Sequence, residues 1–114
     1  MLKTFPKRQY IRSPALLKAC REIPCQKCGR ADGTIVAAHS NSAAHGKGRS
    51  IKADDSRIAA LCFTCHSAID QGSGSGDERR SAWQSAHVKT VNALVLAGLW
   101  PQSVPIPDLR SFDA

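Results

Sequence analysis

Apolar residues fall along this chain in short, punctuated blocks, and each block reads as one small element. Ser13-Pro14 looks like an N-cap followed by proline at the first helical position. A short helix is predicted from about Pro14 to Glu22, with Leu16, Leu17 and Cys20 facing inward and Pro24 as its stop. Asp32-Gly33 signals a turn, and the β-branched run Thr34–His39 predicts a strand. Residues 40–56 are polar and glycine-bearing and predict a long loop centred on His45-Gly46-Lys47-Gly48-Arg49. Long ordered loops in small domains are usually functional. Arg57–Leu61 predicts a second short strand, and a helix begins near His66 to Asp70. Gly72–Gly76 is a flexible break. Asp77 then caps a long helix of about residues 78–97, with Trp83, Val91, Leu94 and Val95 on one face and Gly98 at its end. Three prolines from Pro101 onward predict an extended tail. The organisation expected is an arm over residues 1–13, a domain over 14–100 and the tail over 101–114.

A chain of 114 residues with only 5% aromatics buries a thin core, and small domains often recruit a metal or disulfides to hold one. The cysteines supply the candidate. Cys25-Gln-Lys-Cys28-Gly29 and Cys62-Phe-Thr-Cys65 are two Cys-x-x-Cys knuckles, and Gly29 suits the positive φ that such turns need. Each knuckle places two sulfurs on one ion, so Cys25, Cys28, Cys62 and Cys65 complete the tetrahedral shell of a structural zinc. Residues 29–61 separate the pairs, so the insert must itself be structured, and strand-loop-strand fits it. Cys20, the fifth cysteine, is read as a small buried hydrophobe. Met1–Arg12 holds no apolar signal-peptide core and no run suits a membrane span, so a reducing, cytoplasmic setting is expected, in which paired cysteines bind metal.

Charge then adds a partner. Sixteen Lys+Arg against nine Asp+Glu give a net charge of +7 and a pI near 9.5, the balance expected of a protein that meets the phosphates of nucleic acid. Lys3, Lys7, Arg8 and Arg12, with Phe5 and Tyr10 between them, form a basic arm. Lys47, Arg49 and Lys52 in the loop, and Arg79 and Arg80 at the start of the last helix, are candidate phosphate contacts. Few groups look able to read base edges, so weak sequence preference is expected.

A second constellation follows the knuckles. His66 comes directly after the last cysteine and Asp70 four residues later, so on a helix the two share a face. Such a pair can hold one divalent cation with positions left open for phosphate and water. His39 ends the first strand, and closure of the knuckles brings it toward that cation. His87, in the middle of the long helix, is read as structural.

The run Cys-x-x-Cys, Ala-His39, then Leu61-Cys-x-x-Cys-His66 with Ile69-Asp70 behind it resembles the HNH nuclease superfamily. The likeness is greatest to small phage and prophage members, the YbcO-type and Ref-type nucleases, and covers about residues 14–98. The resemblance implies an α+β fold of the ββα-metal, treble-clef-like kind with flanking helices, stabilised by zinc. It implies a DNA endonuclease with His39 as general base and His66 and Asp70 as ligands of a catalytic magnesium, manganese or zinc. Phage or host recombination proteins are the partners it brings into view. Two positions depart from the pattern. Ala38 stands where many HNH enzymes carry a further metal ligand, and Arg57 stands near the place of the middle Asn. His45 is the loop's candidate for the missing ligand, and Asn41 or Asp55 for the orienting role. A non-catalytic zinc-bound nucleic-acid adaptor is the alternative reading, and a zinc-stabilised protein-interaction module a third.

Overall fold

The computed structural model describes residues 11–41, 53–72 and 74–110. Among these residues the chain is a small α+β protein of three helices and a two-stranded sheet, in the order α1 (Pro14–Cys20), β1 (Val36–His39), β2 (Ile58–Leu61), α2 (Phe63–Gln71) and α3 (Gly76–Leu96). Residues 1–10 of the arm expected over 1–13, and the loop candidates His45, Lys47, Arg49 and Lys52, lie outside the described residues, while Ile11, Arg12 and Ser13 are bonded to residues 53–55. Among the described residues, no helix is long and apolar enough to cross a membrane.

Each element starts where its local chemistry permits. Ser13 caps α1, its hydroxyl accepting from the amide of Leu16 at 3.2 Å, with Pro14 at the first helical position. The helix ends at Cys20 rather than Glu22, because the amides of Arg21 and Glu22 bond only three residues back and tighten the exit. Leu16 and Cys20 are buried and Leu17 is half-buried. β1 is shorter than the run Thr34–His39 predicts because Thr34 is diverted. Its hydroxyl bonds Asp32 at 2.6 Å and accepts from the amide of Phe63 at 3.0 Å, tying the Asp32-Gly33 turn to the start of α2.

β1 and β2 pair antiparallel, with Ala37 opposite Ala60, Ala38 opposite Ala59 and His39 opposite Ile58. The four central positions are alanine, so the long helix can approach the strands closely. The edge of β2 away from β1 is sealed by side chains and a knuckle instead of a third strand, which removes a site for adventitious pairing. The hydroxyl of Thr90 accepts from the amide of Ala60 at 2.9 Å, Nδ1 of His87 lies 2.7 Å from the carbonyl of Ile58, and the amide of Gln26 donates to the carbonyl of Ala60 at 2.8 Å.

α3 begins earlier than expected. Ser75, not Asp77, is its cap, because Ser75 and Glu78 form a reciprocal capping box with bonds of 3.0 and 2.9 Å. Its buried residues are Trp83, Ala86, His87, Thr90, Val91 and Leu94, a stripe of helical period. Val95 falls off the edge of that stripe and is 43% exposed, contrary to expectation. The end is a Schellman turn: Gly98 has φ 72°, its amide bonds Val95, and the amide of Leu99 bonds the carbonyl of Leu94. Residues 101–110 hold neither helix nor strand but are docked, through Gln84 to the carbonyl of Leu109 and Arg57 to that of Asp108.

Thr90 gives a test of the sealed edge. Thr90→Val keeps the shape but removes the acceptor of a buried amide, so it should lower the unfolding free energy by about 1–3 kcal/mol. Urea unfolding with metal at saturation measures it, and an unchanged midpoint would contradict the role given to this hydroxyl.

Candidate metal centre and histidine sites

The two knuckles close on each other across the sheet. In the first, the carbonyl of Cys25 accepts from Gly29 and its amide bonds the carbonyl of Arg30, both at 2.9 Å, while Gly29 takes φ 80° as the tight turn requires. The amides of Lys27 and Cys28 then point at the sulfur of Cys25, at 3.4 and 3.5 Å. In the second, Cys62 is itself the N-cap of α2, its sulfur accepting from the amide of Cys65 at 3.5 Å. The sheet brings these pairs together, since Cys62 follows β2 directly and Gln26 is bonded to β2.

The four sulfurs all lie within 4.8 Å of one another, and Sγ of Cys28 is 3.7 Å from Sγ of Cys62. That separation is too long for a disulfide, near ~2 Å. It matches the ~3.8 Å edge of a tetrahedron built on zinc–sulfur bonds of about 2.3 Å. All five cysteines are unbridged, and Cys25, Cys62 and Cys65 are buried while Cys28 reaches solvent. The geometry therefore fits one zinc ion. The electrostatics of the cluster differ from thiol to thiol. Burial works against ionising Cys25, but hydrogen bonds, chiefly those from the backbone of Cys28, Cys62 and Lys27, overcome it and bring that thiol down to about 6. Burial, and then the three neighbouring cysteines, push Cys65 up to about 12. A divalent ion at their centre would favour the thiolate form of all four. Cys20 stands apart, buried in the core, and its burial pushes it up to about 12.

His39 leaves β1 with its ring 16% exposed. Its Nε2 lies 2.8 Å from Oδ1 of Asp55, whose side chain is only 4% exposed. On α2, Nε2 of His66 lies 3.1 Å from Oδ2 of Asp70, as i,i+4 spacing requires, and both side chains are more than a third exposed. Asn41 connects the two places: two residues beyond His39, its amide nitrogen stands 3.4 Å from Oδ1 of Asp70. Among the described residues the thiols are the one group of three or more ligand side chains gathered around a common point, so His39 is not drawn into a shared shell with His66 and Asp70. Ala38 is buried and supplies no ligand, and Arg57 is engaged with the carbonyl of Asp108.

Beside this pair lies a cleft of about 220 Å³, lined by Asn41, Asp70, Arg79, Arg80 and Trp83 among others. Arg79 donates to the carbonyl of Asp70 at 2.8 Å and so anchors the C-terminal end of α2, while Arg80 pairs with Asp77. Trp83 contributes a wall held in place, its indole N–H bonding the carbonyl of Ala38 at 3.0 Å and its ring stacking on His87 at 4.8 Å. Sequence reasoning named Arg79 as a phosphate contact but not as a helix anchor. It also missed Thr90, although a threonine in mid-helix is a poor helix former and hints at a hydrogen-bonding task.

No family model, curated protein or solved structure matches this chain.

Proposed function

We propose that this protein is a zinc-stabilised DNA endonuclease of the HNH type, hydrolysing phosphodiesters with one divalent cation, in the phage or prophage setting that its sequence resemblance implies. The observation that carries the reading is the placement of His39. It sits at the end of the strand, mostly buried but with 16% of its side chain open to solvent, and hydrogen-bonded to a buried carboxylate, two residues before an asparagine that touches the His66/Asp70 pair. In this reading the four thiolates hold the scaffold, a ββα-metal arrangement of β1, β2 and α2. His39 accepts the proton of the attacking water, a task suited to an imidazole near neutral pH. His66 and Asp70 hold the cation, which, when bound, would neutralise charge building on the phosphate and on the leaving 3′ oxygen. Asn41 steadies Asp70. The cleft beyond Asp70, with Arg79 and Arg80 on its wall, takes the flanking backbone.

Plasmid nicking in magnesium or manganese tests the enzyme. Cleavage by the wild type is the expected result. Binding without cleavage under any metal would instead support the adaptor, a reading favoured by the apolar Ala38 and by the engagement of Arg57 at the two departing positions. Neither cleavage nor salt-dependent DNA binding would leave only a protein-interaction module. The groove has its own test. Arg80→Ala should weaken DNA binding about equally for all sequences and lower the slope of log affinity against log salt by about 1. Fluorescence anisotropy across a salt series measures it, and an unaltered slope would remove Arg80 from the interface.

A further inference from the structure

We propose that Asp55, held from behind by the backbone of Ser13, fixes the tautomer of His39 with the proton on Nε2, leaving the lone pair of Nδ1 as the ring's basic atom. An ionised carboxylate only accepts hydrogen bonds. Oδ1 of Asp55 faces Nε2 of His39 at 2.8 Å, and Oδ2 receives the amide of Ser13 at 2.6 Å. Both oxygens are thus occupied by donors, and the ring must present N–H at Nε2. Among the described residues Asp55 is the hydrogen-bond partner of His39, so Nδ1 is left for a water or a substrate.

The carboxylate cannot swing away, because its own strand of chain is strapped down. The amide of Asp55 bonds the carbonyl of Ile11 at 2.9 Å, the amide of Ile11 bonds Asp54 at 3.1 Å, and the guanidinium of Arg12 bonds the carbonyl of Ala53 at 2.8 Å while standing 3.8 Å from Asp55. Residues 11–13 therefore act on His39 through Asp55, which makes Asp55 a positioning residue and couples the start of the domain to the ring's reactivity.

The isosteric change to asparagine gives an asymmetric consequence. The amide of Ser13 can only donate, so the single oxygen of an asparagine side chain must turn toward it. The NH2 group then faces Nε2 of His39 and demands a lone pair there. The ring is forced into the opposite tautomer, with the proton on Nδ1 and no basic atom outward. The consequence for cleavage rests on the nuclease reading; the tautomer itself does not.

Long-range proton–nitrogen NMR of the zinc-loaded protein reads the tautomer of the neutral ring directly. In the wild type, Nε2 should show the shift of a protonated nitrogen and Nδ1 that of an unprotonated one. In Asp55→Asn the two should exchange, with kcat for nicking reduced about 10⁴-fold, the scale of a wrong tautomer in a His–Asp pair, and KM little changed. Exchange of the shifts in a protein that never cleaves DNA would uphold the role of Asp55 and sink the nuclease reading alone. A wild-type ring protonated on Nδ1 would overturn the proposal whether or not the variant folds, and so would Asp55→Asn with unaltered shifts and full activity.

Discussion

Complete removal of metal by a strong chelator should unfold this domain, with loss of the helical circular dichroism and recovery on adding zinc back. The expectation comes from comparing magnitudes. Among the described residues the large side chains of the apolar core are Leu16, Ile23, Ile35, Ile58, Leu61, Ile69, Trp83, Val91, Leu94 and Val104, and the rest is alanine and cysteine. A domain of this size has a total stability of about 5–15 kcal/mol. A structural zinc bound by thiolates contributes about 10–16 kcal/mol at neutral pH, so its loss equals or exceeds everything else that holds the fold. Two of the ligands have second tasks that sharpen the effect. Cys62 caps α2 and Cys25 gathers the amides of its own turn. An unchanged spectrum after zinc is shown by elemental analysis to be gone would mean that the four thiols do not carry the fold.

The second large effect is expected at His39. Replacing it by alanine should reduce plasmid nicking by about 10²–10⁴-fold, the usual worth of a positioned general base, while DNA binding stays close to that of the wild type. The side chain is not fully buried and its loss opens only a small void beside Asp55, so folding should survive; a thermal melt of the zinc-loaded variant checks this. Equal cleavage by both proteins would remove His39 from the reaction. On the proposed nuclease reading His66→Ala forms the natural comparison, because loss there should be partly answered by raising the concentration of manganese, whereas loss at His39 should not.

The knuckles were legible in the sequence because their meaning lies in local spacing: two sulfurs on one turn need no knowledge of the rest of the chain. The same holds for the pairing of His66 with Asp70 four residues along α2, and for Gly98 at the end of α3. Legibility fails where an interaction depends on which distant segment arrives. Asp77 looks like the cap of α3, and only the reach of Glu78 back to Ser75 decides otherwise. Val95 looks like a stripe residue until the direction of the stripe is fixed by what α3 faces, which includes the polar His87 and Thr90 because their polar atoms meet the edge of β2. Asp55 and Asn41 could both be named as candidates to orient the histidines. Their division of labour, one holding His39 and the other touching Asp70, follows from the register of β1 on β2 and from the strap of residues 11–13, neither of which has a local signature.

β2 is four residues long and wholly buried, yet β1, α2, α3 and the first knuckle all meet on it. It pairs with the strand that carries His39, receives the first knuckle through Gln26, is covered along its far edge by α3 and runs straight into the cysteine that opens α2. Neither α2, α3 nor the first knuckle can peel away without exposing this strand, and the strand cannot be stripped without pulling apart the cysteine cluster. Such a layout ties the local stability of these elements together, so loss of the cysteine cluster and loss of the strand are expected to accompany each other.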